Sequence, residues 1–251
     1  MVILGRSKGS VAKGGEWKVA ELVQRRTVAS DVMSLTFSVE GWRPHLPGQH
    51  YEIALTAPDG YRAVRNYSVA SEPEKVGFLE FGVQLVPDDE VSPYLYEMEV
   101  GEKVEMRGPL GGYFNWDVSV PGSLILVGGG SGVIPLMSMI RHNGRHGNVK
   151  KVALALSAKT VDRIPYKIEL DDYKVNGSLR LLYAVTQQEV EGERYHKGRL
   201  DMFVLKDFLG NFLEEMPMIH ICGPNAFVES VSDDLLAIGF NSHSMKTERF
   251  G

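Results

Sequence analysis

Cysteine is nearly absent from this sequence: Cys222 stands alone among 251 residues. A disulfide needs two thiols and a plant-type iron-sulfur cluster needs four, so neither has a place within this chain. Positive charge is also short, with 27 lysines and arginines against 32 aspartates and glutamates. That balance supplies no basic field for a phosphate backbone, and nucleic acid is excluded as an expected partner. No run approaches the ~18 apolar residues of a membrane span, so none is expected. The glycine-rich start, with Arg6, Lys8 and Lys13 among its first residues, lacks the apolar stretch of a signal peptide. The expected location is the cytoplasm. Repeats, low-complexity tracts and a recognisable metal-binding set are missing as well. What is present is a 43% hydrophobic chain, able to bury a sizeable core and long enough for one or two domains.

Two rhythms divide it. Over residues 17–106, short alternating runs such as VMSLTFSVE, QHYEIALTA, YRAVRNYSVAS and FLEFGVQLV are separated by turn-formers that include Pro47-Gly48, Asp59-Gly60 and Gly101. About six strands at this spacing predict a small antiparallel barrel, with Asp59-Gly60 closing a hairpin. After Pro121-Gly122 the apolar run LILV leads into a glycine cluster and then IPLMSMIRH at helical spacing. Strand and helix then alternate to the end, which predicts a parallel α/β sheet. The expected layout is a flexible start over 1–15, a Greek-key barrel domain over 16–118 and an α/β nucleotide-binding domain over 119–251.

Four constellations carry chemistry. In Arg65-Asn66-Tyr67-Ser68, alternation sets Arg65 and Tyr67 on one face, where a guanidinium can hold a phosphate and a phenol can lie against a flat heteroaromatic. An ordinary half-buried strand would read the same way. In Pro87-Asp88-Asp89-Glu90-Val91-Ser92-Pro93, Ser92 is the expected N-cap of a helix that Pro93 begins, either a plain cap or free amides for a pyrophosphate. Between strand and helix, Gly128-Gly129-Gly130-Ser131-Gly132 permits backbone amides to approach a phosphate chain. In His220-Ile221-Cys222-Gly223-Pro224, Cys222 ends a late strand, where α/β sheets hold ligands, or is simply a small buried hydrophobe.

In order along the chain, PGQ, RxYS, the loop before a short helix, GPLGGYF, GGxGxxP and CGP make residues 17–251 resemble the ferredoxin-NADP reductase superfamily. The resemblance implies a two-domain flavoenzyme: the barrel binds FAD, with FMN as the alternative, and the α/β domain binds NADH or NADPH. By that resemblance Arg65 binds the flavin phosphate, Tyr67 stacks on the isoalloxazine and Ser68 sits near the reactive ring nitrogen. Asn66, the backbone of Gly82, Val83 and Gln84, and the amides of Val91 and Ser92 complete the flavin set. The ending Glu248-Arg249-Phe250-Gly251 resembles the family's bacterial terminus, with Phe250 covering the flavin and Glu248 near its reactive nitrogen; a frayed tail is the alternative. Gly129, Gly130, Gly132, Pro135, Ser157, Lys159, Thr186, Gln187, Cys222, Gly223 and Pro224 form the implied nicotinamide-dinucleotide set. Tyr67, Ser68, Cys222 and Glu248 form the implied catalytic group.

Two departures from the family pattern bear on these expectations. The family's glycine in the loop before the short helix is replaced near Asp89, and Asp88, Asp89 and Glu90 set three negative charges beside the implied pyrophosphate. Like charges weaken flavin binding unless they turn outward. NADP-dependent relatives carry a Ser-Arg pair where this chain reads Val185-Thr186-Gln187-Gln188. Glutamine cannot neutralise a 2'-phosphate, which favours NADH, although Lys159, Arg163 and Arg194 could reach the adenosine end. The electron acceptor is expected to be a separate ferredoxin-like or oxygenase protein. A free-flavin or ferric-chelate reductase, or a non-catalytic nucleotide-binding subunit, is the competing reading.

Overall fold

A computed structural model describes residues 15–250. The start over 1–14 and Gly251 therefore lie outside the described residues, and with them most of the segment expected to be flexible. Six antiparallel strands come first: β1 (Lys18–Ala29), β2 (Val32–Val39), β3 (His50–Thr56), β4 (Arg62–Ser68), β5 (Phe78–Gln84) and β6 (Lys103–Leu110), in the sheet order β4-β3-β6-β1-β2-β5. Inserting β6 between β3 and β1 is the Greek-key feature. A bridge between Val69 and Phe81 brings the two edge strands together, so the sheet curls on itself. The alternation of apolar residues now has its cause: Leu22, Leu35, Phe37, Ile53, Leu79, Phe81, Val104 and Met106 fill one interior. Asp59-Gly60 does close the β3–β4 hairpin, and Gly60 has φ +91°.

Residues 111–123 contain no helix or strand and lead into the second sheet. It comprises β7 (Leu124–Gly129), β8 (Val152–Ala158), β9 (Arg180–Val185), β10 (Tyr195–Lys197), β11 (Met218–Pro224) and β12 (Met245–Phe250), in the order β10-β9-β8-β7-β11-β12. Every pairing is parallel. Helices α2 (Val133–Arg145), α3 (Lys167–Val175), α4 (Met202–Leu209) and α5 (Asn225–Ile238) cover both faces, which is why the central strands are continuous apolar runs. The chain leaves β7 toward β8 and later returns on the other side as β11. A crevice opens at that reversal, beyond the carboxyl ends of the two strands. Gly132 stands in it for a steric reason: a Cβ there would lie 2.1 Å from the carbonyl oxygen of Cys222.

The two sheets are joined through α2. Arg141, 7% exposed, donates from Nη1 to the Ala70 carbonyl at 2.9 Å and to Glu80 Oε2 at 3.0 Å. Its other face takes both oxygens of Glu169 on α3, each at 2.7 Å. Ser34 and Arg26 also donate to Glu80. Burial by itself would raise the Glu80 pKa, but Arg141, Ser34 and Arg26 outweigh it and hold the carboxyl down at about 2. Alongside, Ser138 donates to the Ser71 carbonyl at 2.6 Å, and a Cβ at Gly82 would lie 2.7 Å from Ile134. The barrel thus touches α2 backbone against side chain.

Replacing Arg141 with methionine leaves Glu80 buried without its main cation, and a loss of about 3–5 kcal/mol is expected in urea unfolding at pH 7. The Glu80 contribution is complete above the ordinary carboxylate range and fades as pH falls toward about 2, so the difference between Arg141→Met and the parent should shrink in acid. Equal midpoints for the two proteins at pH 7 would contradict this role.

Candidate active site

Three of the residues implicated by sequence meet where the barrel reaches the ends of the second sheet. Ser68, the last residue of β4, donates its hydroxyl proton to Glu248 Oε1 at 2.9 Å, across 180 positions of chain. Glu248 lies on β12, in register beside Cys222 of β11. The ending is therefore a parallel edge strand and not a frayed tail, with Phe250 opposite Pro224. Two further bonds pin it: Lys246 Nζ donates to the Asn115 carbonyl at 2.6 Å and the Tyr113 hydroxyl to the Met245 carbonyl at 3.3 Å.

Burial sets the electrostatics of this group. It pushes the Glu248 carboxyl up, against the opposing hydrogen bond from Ser68. It also pushes the Cys222 thiol well up, with the neighbouring Glu248 adding to the effect. Cys222 is 1% exposed and stays a protonated thiol at neutral pH, so it offers shape and polarisability and no thiolate nucleophile. His220, one strand turn earlier, is driven down to about 3 by burial and by Lys246, and is neutral.

Beside this group a cavity of about 270 Å³ runs between the sheets. Gly129, Gly130, Ser157, Lys159, Thr186, Pro224 and Phe250 line it together with Gln84 from the barrel, so most of the nucleotide set suggested by sequence shares one space. Gly130 has φ +56°, a conformation that glycine adopts without steric cost. Gln187 does not line the cavity; its amide is bound to the Lys159 carbonyl at 2.8 Å. Of the three cations considered for the adenosine end, Arg194 is held by Asp171 at 2.9 Å and is absent from the lining. Arg163 lines the cavity 3.8 Å from Asp31, and Lys159 has no ion pair among the described residues.

Sequence reasoning missed Asp31 and Phe227. Asp31 accepts from Gln84 Nε2 at 2.9 Å, which ties down a side chain expected to contribute only backbone. Phe227 occupies the space that a Cβ at Gly129 or Gly223 would need, at 2.9 and 2.6 Å. The glycines here make room for an aromatic ring of α5 as well as for a ligand. In the sequence Phe227 read as one more apolar position of a helix face.

A second, separate cluster surrounds Arg65. Helix α1 (Ser92–Glu97) is capped differently from the expectation: Val91 is the N-cap, and Ser92 is already the first helical residue. The hydroxyl of Ser92 is engaged with the backbone of Val86, at 3.2 and 3.3 Å. Asp89 does the capping from upstream, its Oδ2 accepting from the amides of Ser92 at 2.8 Å and Val91 at 3.2 Å. Its other oxygen accepts from Arg65 Nε at 2.8 Å. Asp89 thus turns inward, because an anion there satisfies a guanidinium and two free amides at once. Glu90 turns aside to the Tyr61 hydroxyl at 3.0 Å, with Arg65 Nη2 3.5 Å away. These three donors are the ones that resemblance assigns to a flavin phosphate, and a carboxylate on all three demonstrates that they fit an anionic oxygen pair. Tyr67, half-buried, packs on the barrel core close by.

Comparison with known proteins agrees with this architecture. Residues 19–115 match the model of an oxidoreductase FAD-binding domain, and residues 126–233 that of an oxidoreductase NAD-binding domain. NADH-cytochrome b5 reductase 1 of Candida glabrata is 27% identical over 232 residues, covering 90% of this chain and 80% of the relative. Flavohemoprotein B of Dictyostelium discoideum is 26% identical over 82% of this chain, which spans about half, 52%, of that longer protein. Among solved structures, the FAD/NAD-binding domain of a nitric oxide dioxygenase from Vibrio cholerae superposes with a TM-score of 0.81 at 18% identity, covering 93% of this chain and 98% of the other. The two models between them account for most of the chain, and it belongs to the family of oxidoreductases that join an FAD-binding barrel to an NAD-binding α/β domain.

Proposed function

We propose that this flavoprotein reductase takes a hydride from NADH onto bound FAD and passes the electrons to a separate metalloprotein. The observation that carries the reading is the hydrogen bond between Ser68 of the barrel and Glu248 of the nucleotide-binding domain, set beside Cys222. It unites at one point the residues that face a flavin and those that face a nicotinamide in this family. Flavin supplies the ability to accept two electrons together and release them singly.

The chain's own residues supply binding and alignment. Arg65 with the amides of Val91 and Ser92 holds a flavin phosphate once Asp89 has turned away; Tyr67 offers an aromatic face to the ring system. Ser68 directs its proton to Glu248 and leaves its oxygen free to accept. Burial of Glu248 raises its pKa above the ordinary carboxylate value and so favours the protonated carboxyl more than exposure would. The neutral Cys222 thiol limits how the nicotinamide ring can sit. Phe250 and Phe227 give the crevice an apolar lining.

NADH is preferred because Gln187 stands where NADP-dependent relatives carry an arginine and Arg194 is committed to Asp171, while Arg163, which lines the cavity, lies 3.8 Å from Asp31. A protein acceptor is supported by two facts. This chain has a single cysteine and so holds no cluster of its own, and its relative of 80% matched length is named for reducing cytochrome b5.

Two outcomes are expected. Asp89→Gly removes the resident carboxylate from Arg65 and both amides, so flavin-stripped protein should bind FAD about tenfold more tightly, a gain of ~1.4 kcal/mol. Weaker binding by that variant would mean that Asp89 supports the flavin and does not compete with it. With NADH as donor, kcat/KM for a cytochrome b5-type haem protein or a [2Fe-2S] ferredoxin should exceed that for free FMN and ferric citrate. Faster reduction of free flavin or ferric chelate than of either protein would overturn the assignment of a protein acceptor.

A further inference from the structure

At the other end of α2 from the glycine turn, three side chains converge that the sequence did not mark as a metal set. His142 and His146 are spaced one helical turn apart on α2 and its cap, and Glu74 reaches them from the turn that follows β4. Glu74 Oε1 lies 2.7 Å from His142 Nδ1 and 3.1 Å from His146 Nε2, and all three donor atoms fall within 4.8 Å of one another. We propose that Glu74, His142 and His146 bind one divalent transition-metal ion of the zinc class, which ties the barrel to the nucleotide-binding domain.

The hydrogen-bonding of His142 is the strongest support. Its ring is buried, 4% exposed, under Trp116, and a carboxylate stands at each nitrogen: Glu74 at Nδ1 and Asp117 at Nε2, 3.3 Å away. An imidazolium would donate to both, whereas a ring with one N–H donates to one of them and keeps a lone pair on the other side for a metal ion. An ion between Nδ1 and Glu74 uses the lone pair on one side and leaves Nε2–H for Asp117 on the other. That is the carboxylate-histidine-metal arrangement by which proteins orient a ligating imidazole. Asp117 is itself fixed, since its other oxygen accepts from the Ser119 amide at 2.8 Å.

Distances and donor types narrow the ion. Around a tetrahedral zinc, with bonds of about 2.0–2.2 Å, neighbouring donors stand roughly 3.4 Å apart. Glu74 Oε1 stands 2.7 and 3.1 Å from the two imidazole nitrogens, close to that spacing, on side chains with room to adjust. Two imidazoles and one carboxylate suit zinc, cobalt or nickel, whereas calcium and magnesium require oxygen. His146 and Glu74 are partly exposed, at 45% and 33% of their side chains, which gives an entry path and room for a water as fourth ligand. None of the three lines the cavity of the candidate active site, and His142 stands roughly 14 Å along α2 from its first residue. The ion therefore acts on domain attachment, beside Arg141 and Ser138 on the same helix, and the inference stands independently of the acceptor assignment.

The test uses the tagless, flavin-loaded protein after EDTA treatment and desalting. Titration with zinc chloride by calorimetry should show one equivalent bound, and cobalt(II) should give the visible absorption of a four-coordinate site. His146→Ala, at an exposed position, should weaken zinc binding at least tenfold and remove the zinc-dependent rise in melting temperature, with flavin content unchanged. Glu74→Gln should do the same. Absence of one-to-one binding, or zinc affinity in both variants equal to that of the parent, would overturn the proposal.

Discussion

Arg141 is the interaction on which the arrangement depends. It is a charge buried between two domains, and it is tolerable only because Glu80 comes from the barrel, Glu169 from α3 and the Ala70 carbonyl from the segment that follows β4. Each partner belongs to a different element, so the guanidinium has one place in which it is satisfied. That place sets α2 against β5, close enough that Gly82 has no room for a side chain. With α2 fixed, the glycine turn at its N-terminus and the ends of β7 and β11 are fixed relative to β4. The meeting of Ser68 with Glu248 follows from it.

The Arg65 cluster shows a different balance. Here a charge on the protein occupies the three donors that we propose for a flavin phosphate. Asp89 lowers the energy of the chain by itself, capping α1 and pairing with Arg65, and its pKa is pulled below the ordinary carboxylate value despite the opposing effect of burial, by the amide of Ser92 and by Arg65. Ligand binding then exchanges one anion for another. Flavin affinity in such a site reflects the difference between the two sets of bonds and not their sum.

Much of this was legible in the sequence, and the remainder was hidden for identifiable reasons. Alternation over residues 17–106 and the strand-glycine-helix passage at Gly128 to Pro135 depend on local periodicity, and both domains could be read from them. The short strands β10 and β12 could not. Tyr195–Lys197 is only a three-residue pairing, and MKTERF carries charges because β12 is the edge of its sheet. Ser92 was misassigned as a cap because the competitor, Asp89, is drawn inward by Arg65, 24 residues away in sequence. His142 and His146 were masked by the apolar pattern of α2, and the carboxylate that completes the group lies 68 residues upstream of His142. Local rules find elements, whereas ion pairs between distant elements emerge only once the fold has brought them together.

The central claim is that the junction of Ser68, Glu248 and Cys222 delivers a hydride from NADH to a flavin held by the barrel. Anaerobic rapid mixing of the purified protein with NADH, and separately with NADPH, measures this directly through the flavin absorbance near ~450 nm. One equivalent of NADH per flavin should bleach the band, with NADPH requiring a much higher concentration. A protein that takes up no flavin, or whose flavin neither nucleotide reduces, would contradict the claim and leave a nucleotide-binding subunit without electron transfer.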